Sequence, residues 1–587
     1  MATASGGRTL FTRQSSGLVR EVSVVNALFF NTAAFIGVGL GWYPTFYSLA
    51  FVPVGVTASF TTYGWAAIIV GAFAVVLALI FASLTSVMPR SGGDYVFTSR
   101  IVPRAGPFLG WLESWSLAFS ALAIIAFEVP IFVRNFQITG RIIGIGTGSE
   151  FFNGANSWFT DGDTGLVTGV TGFVAALIVL ALIAVVVFQP TRRFHRIVTS
   201  IALLSLIAGV LMFFLGLFAI DGPTFAKNLP QYTNGVTVDQ LAKSAQDLGM
   251  ASGSGVDIGP QSLTAWPFMI MAGIILFQYI GFQYSAYIAG EVRGNVRRSV
   301  LLAMLGALAI AVFMNSAYTD WISARLGIDG QIGWGASWWG FQGSLPLPMG
   351  QPNSMPLMGV VAQPGLWPIW AIISLAVTAF PFLLCPVYIV FLSRIQLAWS
   401  LDRQVPEWFG EVSERLRAPA NAIFTALLVA AIFAALQNFP ILKAVGLGSL
   451  APSADPNLDG KLNLVATAWF GILAGALTWT MPGVNALLVR WTRPDLAKGA
   501  PFARWLPLLG IVWLVFALVL YWYAGLYPIL SALTGGQGDA LTYLNQTGVT
   551  FVVLILIAGA VLYVIRSWWN RSRGIDTSMM YQMIPPD

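Results

Sequence analysis

Two long apolar stretches of the chain carry glycine or polar residues near their middle, where a membrane helix would ordinarily hold neither. The first contains a Gly-Val-Gly-Leu-Gly run at 37–41, and the second a Phe-Gln-Tyr-Ile-Gly-Phe-Gln run at 277–283. Lipid offers no hydrogen bonds, so a helix that breaks in a bilayer must turn its freed backbone groups toward protein, water or a ligand. Two interrupted spans at corresponding positions of two halves are typical of the binding site of a secondary transporter.

Each interruption has two interpretations. The three glycines at 37–41 cost a helix about 1 kcal/mol each, which favours an unwound bend. The half-helix after such a bend would present free amides, and the positive end of its dipole, to a carboxylate. The alternative is close packing of two helices through Gly37 and Gly41. At 277–283, carbonyl groups at the end of a half-helix would accept from an ammonium group. The alternative is that Gln278 and Gln283 bond to neighbours inside a helix bundle.

Composition sets the class of protein. The chain has 587 residues, of which 57% are hydrophobic and only 9% charged, whereas soluble domains carry about 25% charged residues. It is therefore an all-α polytopic membrane protein. Its net charge of +6 is explained by basic cytoplasmic loops and needs no nucleic-acid partner.

One histidine and one cysteine exclude a cysteine- or histidine-rich metal site and a Cys/His catalytic pair. We expect no metal, no cofactor and no enzymatic activity. Residues 1–20 lack the apolar core of a cleaved signal peptide.

Twelve apolar windows of about 20 residues predict twelve membrane helices. They lie at 22–52, 65–88, 105–133, 165–188, 197–220, 265–290, 299–322, 366–393, 420–440, 463–489, 504–527 and 549–566. Most of the 30 arginines and lysines fall in alternate loops. The positive-inside rule therefore places both termini in the cytoplasm.

The two interrupted spans each begin a set of five, and an odd number of spans inverts the second set relative to the first. The predicted organisation is a cytoplasmic tail (1–21), a first repeat (22–220), an extracellular loop (221–264), a second repeat (265–490), two further spans (491–566) and a cytoplasmic tail (567–587). The long external loops at 134–164, 221–264 and 323–365 are either solvated connectors or a docking surface for a protein partner.

Several motifs in order resemble one family. Residues 277–283 resemble a Phe-x-Tyr-x-Gly-Phe-(Asp/Glu) segment, and 88–95 a Pro-x-Ser-Gly-Gly-x-Tyr loop between spans 2 and 3. Residues 291–297 resemble the acidic and basic turn after span 6, and 393–422 the loop after span 8. Over roughly residues 20–490 the chain resembles the amino acid–polyamine–organocation (APC) family of permeases.

The resemblance implies a LeuT-like fold of 5+5 inverted helices, with broken helices 1 and 6 among 12 transmembrane helices, and alternating access. It places the substrate carboxylate on the amides of the first break and the ammonium on carbonyls that end the half-helices. The implied substrate residues are Phe35, Val38, Gly39, Leu40, Phe277, Ile280, Gly281, Phe282 and Gln283, with Tyr279 or Phe282 as a gate.

The coupling ion is left open between Na⁺ and H⁺. Some relatives use a lysine in span 5 for proton coupling, but span 5 here has none. A sodium site would need oxygen ligands, which Ser374 and Thr378 of span 8 could supply. The alternative is that these hydroxyls bond to their own helix.

Glu113 and Glu128 of span 3 are intramembrane carboxylates, which are often proton relays. The alternative is that they pair with Arg104 and Arg134 near the ends of that span.

These features predict a secondary permease of the plasma (inner) membrane that moves an amino acid or related amine and has lipid as its surroundings. A neutral amino acid is favoured because the second break holds no acidic side chain: Gln283 stands where many relatives carry Asp or Glu. One alternative is a non-transporting permease homologue that acts as a subunit or sensor, and another is a channel.

Overall fold

The structure, a computed structural model, describes residues 17–39, 56–57, 60–160, 167–240, 272–273, 275–276, 278–326, 354–447, 460–462, 476–520, 540–577 and 580–582. Within them, long apolar helices alternate with short polar connections. The helices of the first half are α1 (Val24–Gly39), α2 (Thr62–Val87), α3 (Asp94–Ile101), α4 (Gly106–Thr147), α5 (Glu150–Asn153), α6 (Gly169–Val187), α7 (Thr191–Ala219) and α8 (Gly222–Tyr232).

The second half continues the same alternation. Its helices are α9 (Val296–Phe313), α10 (Thr319–Leu326), α11 (Ser354–Ala362), α12 (Trp367–Leu401), α13 (Ala420–Asn438), α14 (Ile441–Ala444), α15 (Ala476–Thr492), α16 (Pro494–Gly499), α17 (Leu506–Leu520) and α18 (Ala540–Ser572). A π-helical turn, Met314–Tyr318, joins α9 to α10. Short strands pair antiparallel, β1 (Val56–Thr57) with β2 (Phe60–Thr61) and β3 (Val412–Ser413) with β4 (Ala418–Pro419).

Eight of the described helical segments are long and apolar enough to cross a membrane. They are Tyr63–Val87, Gly106–Thr147, Gly169–Val187, Thr191–Ala219, Val296–Ile322, Pro364–Leu401, Ala420–Asn438 and Val552–Ser572. These match predicted spans 2, 3, 4, 5, 7, 8, 9 and 12. The other four predicted spans lie partly outside the described residues, so the count of twelve and the inverted repeat stay predictions.

Span 3 differs from its prediction. It was expected to end at 133 and to be followed by an external loop, but α4 continues through Thr147 with Pro130 inside it. A proline is tolerated in a membrane helix when neighbouring groups satisfy the freed carbonyl. The arginines that suggested a loop are held by other residues: Arg134 donates to Gln137 Oε1 at 2.8 Å, and Arg141 to the carbonyl oxygen of Asn153 at 2.9 Å.

Apolar side chains on the outer faces of α6 and α7 point away from the rest of the protein. Val185, Leu204 and Phe218 are 66%, 64% and 80% exposed. A contiguous apolar surface of this kind is rare on a soluble monomer and marks contact with a membrane or a partner. These helices therefore fit the periphery of a bundle in lipid.

The centre of the bundle is the pair α4 and α12, which run along one another. Polar contacts fix both ends of the pair: Thr139 and Ser374 hydroxyls lie 2.8 Å apart at one end, and Trp399 Nε1 donates to Ser114 Oγ at 2.8 Å near the other. Helix α1 packs against α12 and α9. The helix that carries the first predicted interruption therefore packs against one member of the central pair.

The predicted basic loops meet on one face of the bundle, called here the basic face. Val22 pairs with Val292 in a parallel bridge, and Ser91 pairs with Ile288. The amide of Thr191 donates to the carbonyl of Leu416 at 3.1 Å. This grouping is what alternate loops on one side of a membrane predict.

Candidate functional site

The interruption at Gly281 is a true end of helix. The described backbone is helical at 272–273, 275–276 and 278, forms turns from 279 to 283, and then makes short 3₁₀ turns at Tyr284–Ala286 and Ala289–Glu291. Gly281 has φ 110°, and a Cβ built on it would lie 2.5 Å from the Cβ of Ala34 on α1. A larger residue would therefore be strained and would also collide with α1. The described backbone is thus non-helical where the sequence predicts the break in span 6.

The first interruption is described only up to its third residue. Helix α1 ends at Gly39, within the Gly-Val-Gly-Leu-Gly run, so Gly37 and Val38 are helical and a bend after Gly39 stays a prediction. Glycine costs a helix about 1 kcal/mol per residue, whereas each backbone group left without a partner in an apolar environment costs several. Helical hydrogen bonds therefore prevail over the glycine penalty at these positions. Leu40 and Gly41 lie outside the described residues.

A buried polar contact joins the two interrupted segments. Asn31 of α1 accepts from the amide of Ser285 at 2.7 Å and donates to its hydroxyl at 3.1 Å. Both side chains are fully buried. Asn31 and Ser285 are 254 residues apart in the sequence, and the sequence did not predict that they meet. Its only signal was an asparagine in an otherwise apolar stretch.

The two glutamines beside Gly281 differ in whether their side-chain oxygens have hydrogen-bond partners. The amide of Gly281 donates to Gln283 Oε1 at 3.2 Å, so this glutamine braces its own turn. Gln278 is 2% exposed, and its Oε1 has no hydrogen-bond partner among the described residues. An unpaired buried acceptor costs about 1–3 kcal/mol. Gln278 can therefore accept a hydrogen bond from a ligand bound at the break.

The predicted gate residues are both enclosed. The hydroxyl of Tyr279 donates to the carbonyl of Ala67 on α2 at 2.8 Å, and Phe282 is fully buried. Tyr279 is thus anchored to α2 in this conformation. A gating role for either residue stays a prediction.

The other predicted substrate residues are placed only in part. Phe35, Val38 and Gly39 lie on α1, although the structure does not describe the side chains at 35–39, and Ile280 is buried in the turn. Leu40 and Phe277 lie outside the described residues. Their roles in binding substrate stay predictions.

The predicted sodium ligands lie on α12. Thr378 Oγ1 donates to the carbonyl of Ser374 at 2.7 Å, as the alternative interpretation expects, and Ser374 contacts the hydroxyl of Thr139. Across the described part of the chain, no group of three or more His, Cys, Asp or Glu side chains is arranged to hold a metal ion. In this conformation Thr378 therefore bonds within α12, and Ser374 links α12 to α4.

The two intramembrane glutamates of α4 are not paired with the arginines near the ends of span 3. Glu113 Oε2 accepts from Thr98 Oγ1 at 2.6 Å, and Thr98 in turn accepts from Asn485 Nδ2 at 2.8 Å. Glu128 is buried, and its Oε2 has no hydrogen-bond partner among the described residues.

Two buried ion pairs close the basic face. Arg394 of α12 donates through Nε and a terminal nitrogen to the two oxygens of Glu291, at 2.7 and 2.8 Å. Arg100 of α3 makes two bonds of 2.6 Å to the two oxygens of Asp402. Forked arginine–carboxylate pairs of this kind are geometrically specific and strong. They link the end of span 6 and the loop between spans 2 and 3 to the central helix α12.

Further contacts reinforce the second pair. The hydroxyl of Tyr95 donates to Asp402 Oδ2 at 2.7 Å, and the ring of Tyr581 lies 5.2 Å from the guanidinium of Arg100. Burial lowers the pKa of Arg100, but the adjacent Asp402 more than offsets this and leaves it above its ordinary value. Arg100 therefore stays charged beside Asp402 in the folded protein.

A sequence model described as amino acid permease matches residues 23–534 of the chain. The chain belongs to the amino acid permease family. A comparison with curated proteins found no match. Membership confirms the resemblance to the APC permeases drawn from the motifs, and the family is one of transporters rather than enzymes. Together with the long apolar helices, it makes the chain a multi-pass membrane protein.

Family membership also relates the geometry to transport. A permease needs a ligand site away from water and a closure that can open on one side. This permease has a broken helix pressed against α1 at Gly281 and a basic face held by charged pairs. The first arrangement brings backbone groups and two glutamines together beside α1, and the second links the segments of the basic face.

Proposed function

We propose that this permease is a secondary active transporter that moves a neutral amino acid across the plasma membrane by alternating access. The observation that carries the proposal is the broken helix at Gly281, with the unpartnered Gln278 Oε1 beside it. Broken membrane helices are used by transporters to bring backbone dipoles to a substrate near the bilayer midplane.

The polar groups of the break favour a neutral amino acid over a dicationic amine. Its described side chains between 278 and 283 include two glutamines and no carboxylate. A second positive charge on the ligand would need a carboxylate beside it to offset the loss of water. A neutral amino acid needs only hydrogen-bond acceptors for its ammonium group and hydrogen-bond donors for its carboxylate.

Alternating access requires the basic face to open. In this structure Arg394–Glu291 and Arg100–Asp402 tie three separate segments to one another. Opening would separate these charges, and entering water would solvate each partner. The ion pairs therefore stabilise the conformation that is closed at the basic face without preventing its opening.

The proposal is tested by binding and uptake with purified protein. We expect one or more neutral amino acids to raise the melting temperature, because a ligand that binds the folded state stabilises it. The same compounds should enter proteoliposomes saturably, with sodium and pH varied to identify the coupling ion. Saturable, coupled uptake would exclude a channel.

The decisive variant is Gly281→Ala. It adds a methyl group where φ is 110° and where Ala34 leaves no room, so we expect uptake to fall at least tenfold. The matched control is Gly365→Ala, since a Cβ there meets nothing within 4 Å. Unchanged uptake in Gly281→Ala would contradict a ligand site at the break. Stable protein that binds no amino acid but co-purifies with another protein would favour the subunit or sensor alternative.

A further inference from the structure

A second group of buried polar side chains lies between α3, α4, α15 and the segment that follows the break. Side-chain interactions link Asp94 of α3 to Glu113 of α4. Thr98, one turn after Asp94 and on the same face of α3, donates to Glu113 Oε2 at 2.6 Å. Asp94 is 1% and Glu113 0% exposed. Two carboxyl groups thus face each other in a site closed to water.

Three atoms of this group have no well-formed hydrogen bond among the described residues. They are Asp94 Oδ2, Glu113 Oε1 and the hydroxyl of Tyr287, which is fully buried and also interacts with Asp94. Buried polar atoms are nearly always satisfied, so each exception needs an explanation. Here the atoms come from three different elements, and the carboxyl of Asp94 makes side-chain interactions with both Glu113 and Tyr287, so the two carboxyls are close enough to share a proton.

No positive charge offsets the two carboxyls. The groups that interact with them are Tyr284 and Tyr287 after the break, Thr98 on α3, and Asn485 of α15 through Thr98. Within the described chain, neither carboxyl contacts an arginine, lysine or histidine. Arg100, on the same helix as Asp94, is already bound to Asp402. Two carboxylates this close without a cation cannot both stay ionised, and such pairs hold a proton.

We propose that Asp94 and Glu113 form a proton-binding site that holds one proton while the basic face is closed and releases it when that face opens. Its coupling to transport rests on the proposed permease function, whereas the binding of the proton does not.

The contacts of Tyr287 explain how opening would reach the site. The amide of Gly92 donates to the carbonyl of Tyr287 at 3.1 Å, and Ser91 pairs with Ile288. The segment after the break therefore covers Asp94 directly. If this segment withdraws, water enters, both carboxyls can ionise and the proton leaves. Burial raises the pKa of Asp94 to about 6, against smaller lowering effects of Tyr287 and Glu113, so this exchange falls near neutral pH.

Infrared difference spectroscopy during pH steps tests the site with protons as the only probe. Wild-type protein in lipid should show a carboxylic-acid C=O band that disappears as pH rises. We expect Asp94→Asn and Glu113→Gln each to abolish this change. The matched control is Glu128→Gln, which removes another buried carboxyl of α4 that has no carboxyl among its described contacts and should keep the change. A titration that persists in both test variants, or that is lost only in Glu128→Gln, would overturn the proposal.

Uptake of radiolabelled alanine into proteoliposomes tests the coupling. An inward proton gradient should raise alanine accumulation several-fold in wild type but not in Asp94→Asn or Glu113→Gln, while exchange of alanine for alanine continues in all three. Proton-driven accumulation that survives in both variants would refute the coupling. Absence of any alanine movement in wild type, with the infrared titration intact, would refute the proposed substrate and leave the proton site standing.

Discussion

Acidic side chains near the basic face occur in two settings. Glu291 and Asp402 each bind an arginine through two bonds, whereas Asp94 and Glu113 meet each other and uncharged groups. All four side chains are buried. Their difference is therefore one of partner and not of exposure.

The comparison separates a structural role from a chemical one. A carboxylate that faces a guanidinium keeps its charge over the ordinary pH range, so its contribution is a fixed link between segments. A carboxyl that faces another carboxyl needs a proton in order to be buried at all, so its state changes with pH. Neighbouring parts of one face thus combine ion pairs that hold it closed with a carboxyl pair whose protonation depends on whether the face is open.

The largest effect should come from breaking the first kind of pair. Arg394→Met leaves Glu291 charged and buried without its partner, which typically costs about 3–5 kcal/mol. We expect a large fall in melting temperature. The double variant with Glu291→Met removes both charges and should recover most of the loss, since an apolar replacement of a buried pair is often neutral. A double variant no more stable than the single one would show that the charges are not coupled as described.

The second kind of pair should give stability an unusual pH dependence. Below pH 3.8, the ordinary pKa of an aspartate, Asp94 is protonated in both the folded and the unfolded chain. As pH rises toward about 6 the unfolded chain loses this proton while the folded chain keeps it, so the free energy of unfolding falls. The full loss, reached above that pH, is about 3 kcal/mol. Melting temperature measured against pH should show this fall in wild type and a flatter curve in Asp94→Asn.

Asp495 provides the control for this pH profile. It is exposed and binds Arg493, whose hydrogen bonds hold its pKa below the ordinary value. Asp495→Asn should therefore leave the fall in stability between acidic and neutral pH in place. If Asp94→Asn retains the wild-type profile, the unpaired carboxyl is not its source.

Local features of the chain were predictable from the sequence. The break at Gly281 follows from a glycine and polar residues within an apolar stretch, because the constraint is local and lipid cannot satisfy a free backbone. The long helices matched by predicted spans follow from apolar length alone. By contrast, Gly37 lies within α1, and Pro130 lies within α4. The free-energy cost of a glycine or proline at these positions is smaller than the cost of leaving backbone groups without hydrogen bonds inside the bundle.

Long-range pairings were not predictable in the same way. Glu113 was identified as a candidate from its place in a membrane span, but its position against Asp94 depends on how α3 folds back onto α4. Arg100 and Asp402 are 302 residues apart, and Asn31 and Ser285 are 254 apart. A single sequence marks such residues as polar in apolar surroundings and does not say which of them meet. Their partners are decided by the packing of helices from both halves.

The smallest expected differences in stability come from removing single hydroxyl groups, one beside each kind of carboxyl pair. Tyr95→Phe removes the hydrogen bond that the hydroxyl donates to the charged Asp402, and bonds to charged groups contribute about 1.5–3 kcal/mol. Tyr287→Phe removes a buried hydroxyl that interacts with the carboxyl of Asp94. A bond to a protonated carboxyl is one between neutral groups, so the variant should unfold within about 1 kcal/mol of wild type. Melting temperatures of the two variants, measured at neutral pH in the same lipid, give the contrast. A loss in Tyr287→Phe as large as that in Tyr95→Phe would mean that Tyr287 donates a strong hydrogen bond to a charged Asp94. The carboxyl pair would then be a structural link like the arginine pairs and not a site that exchanges a proton.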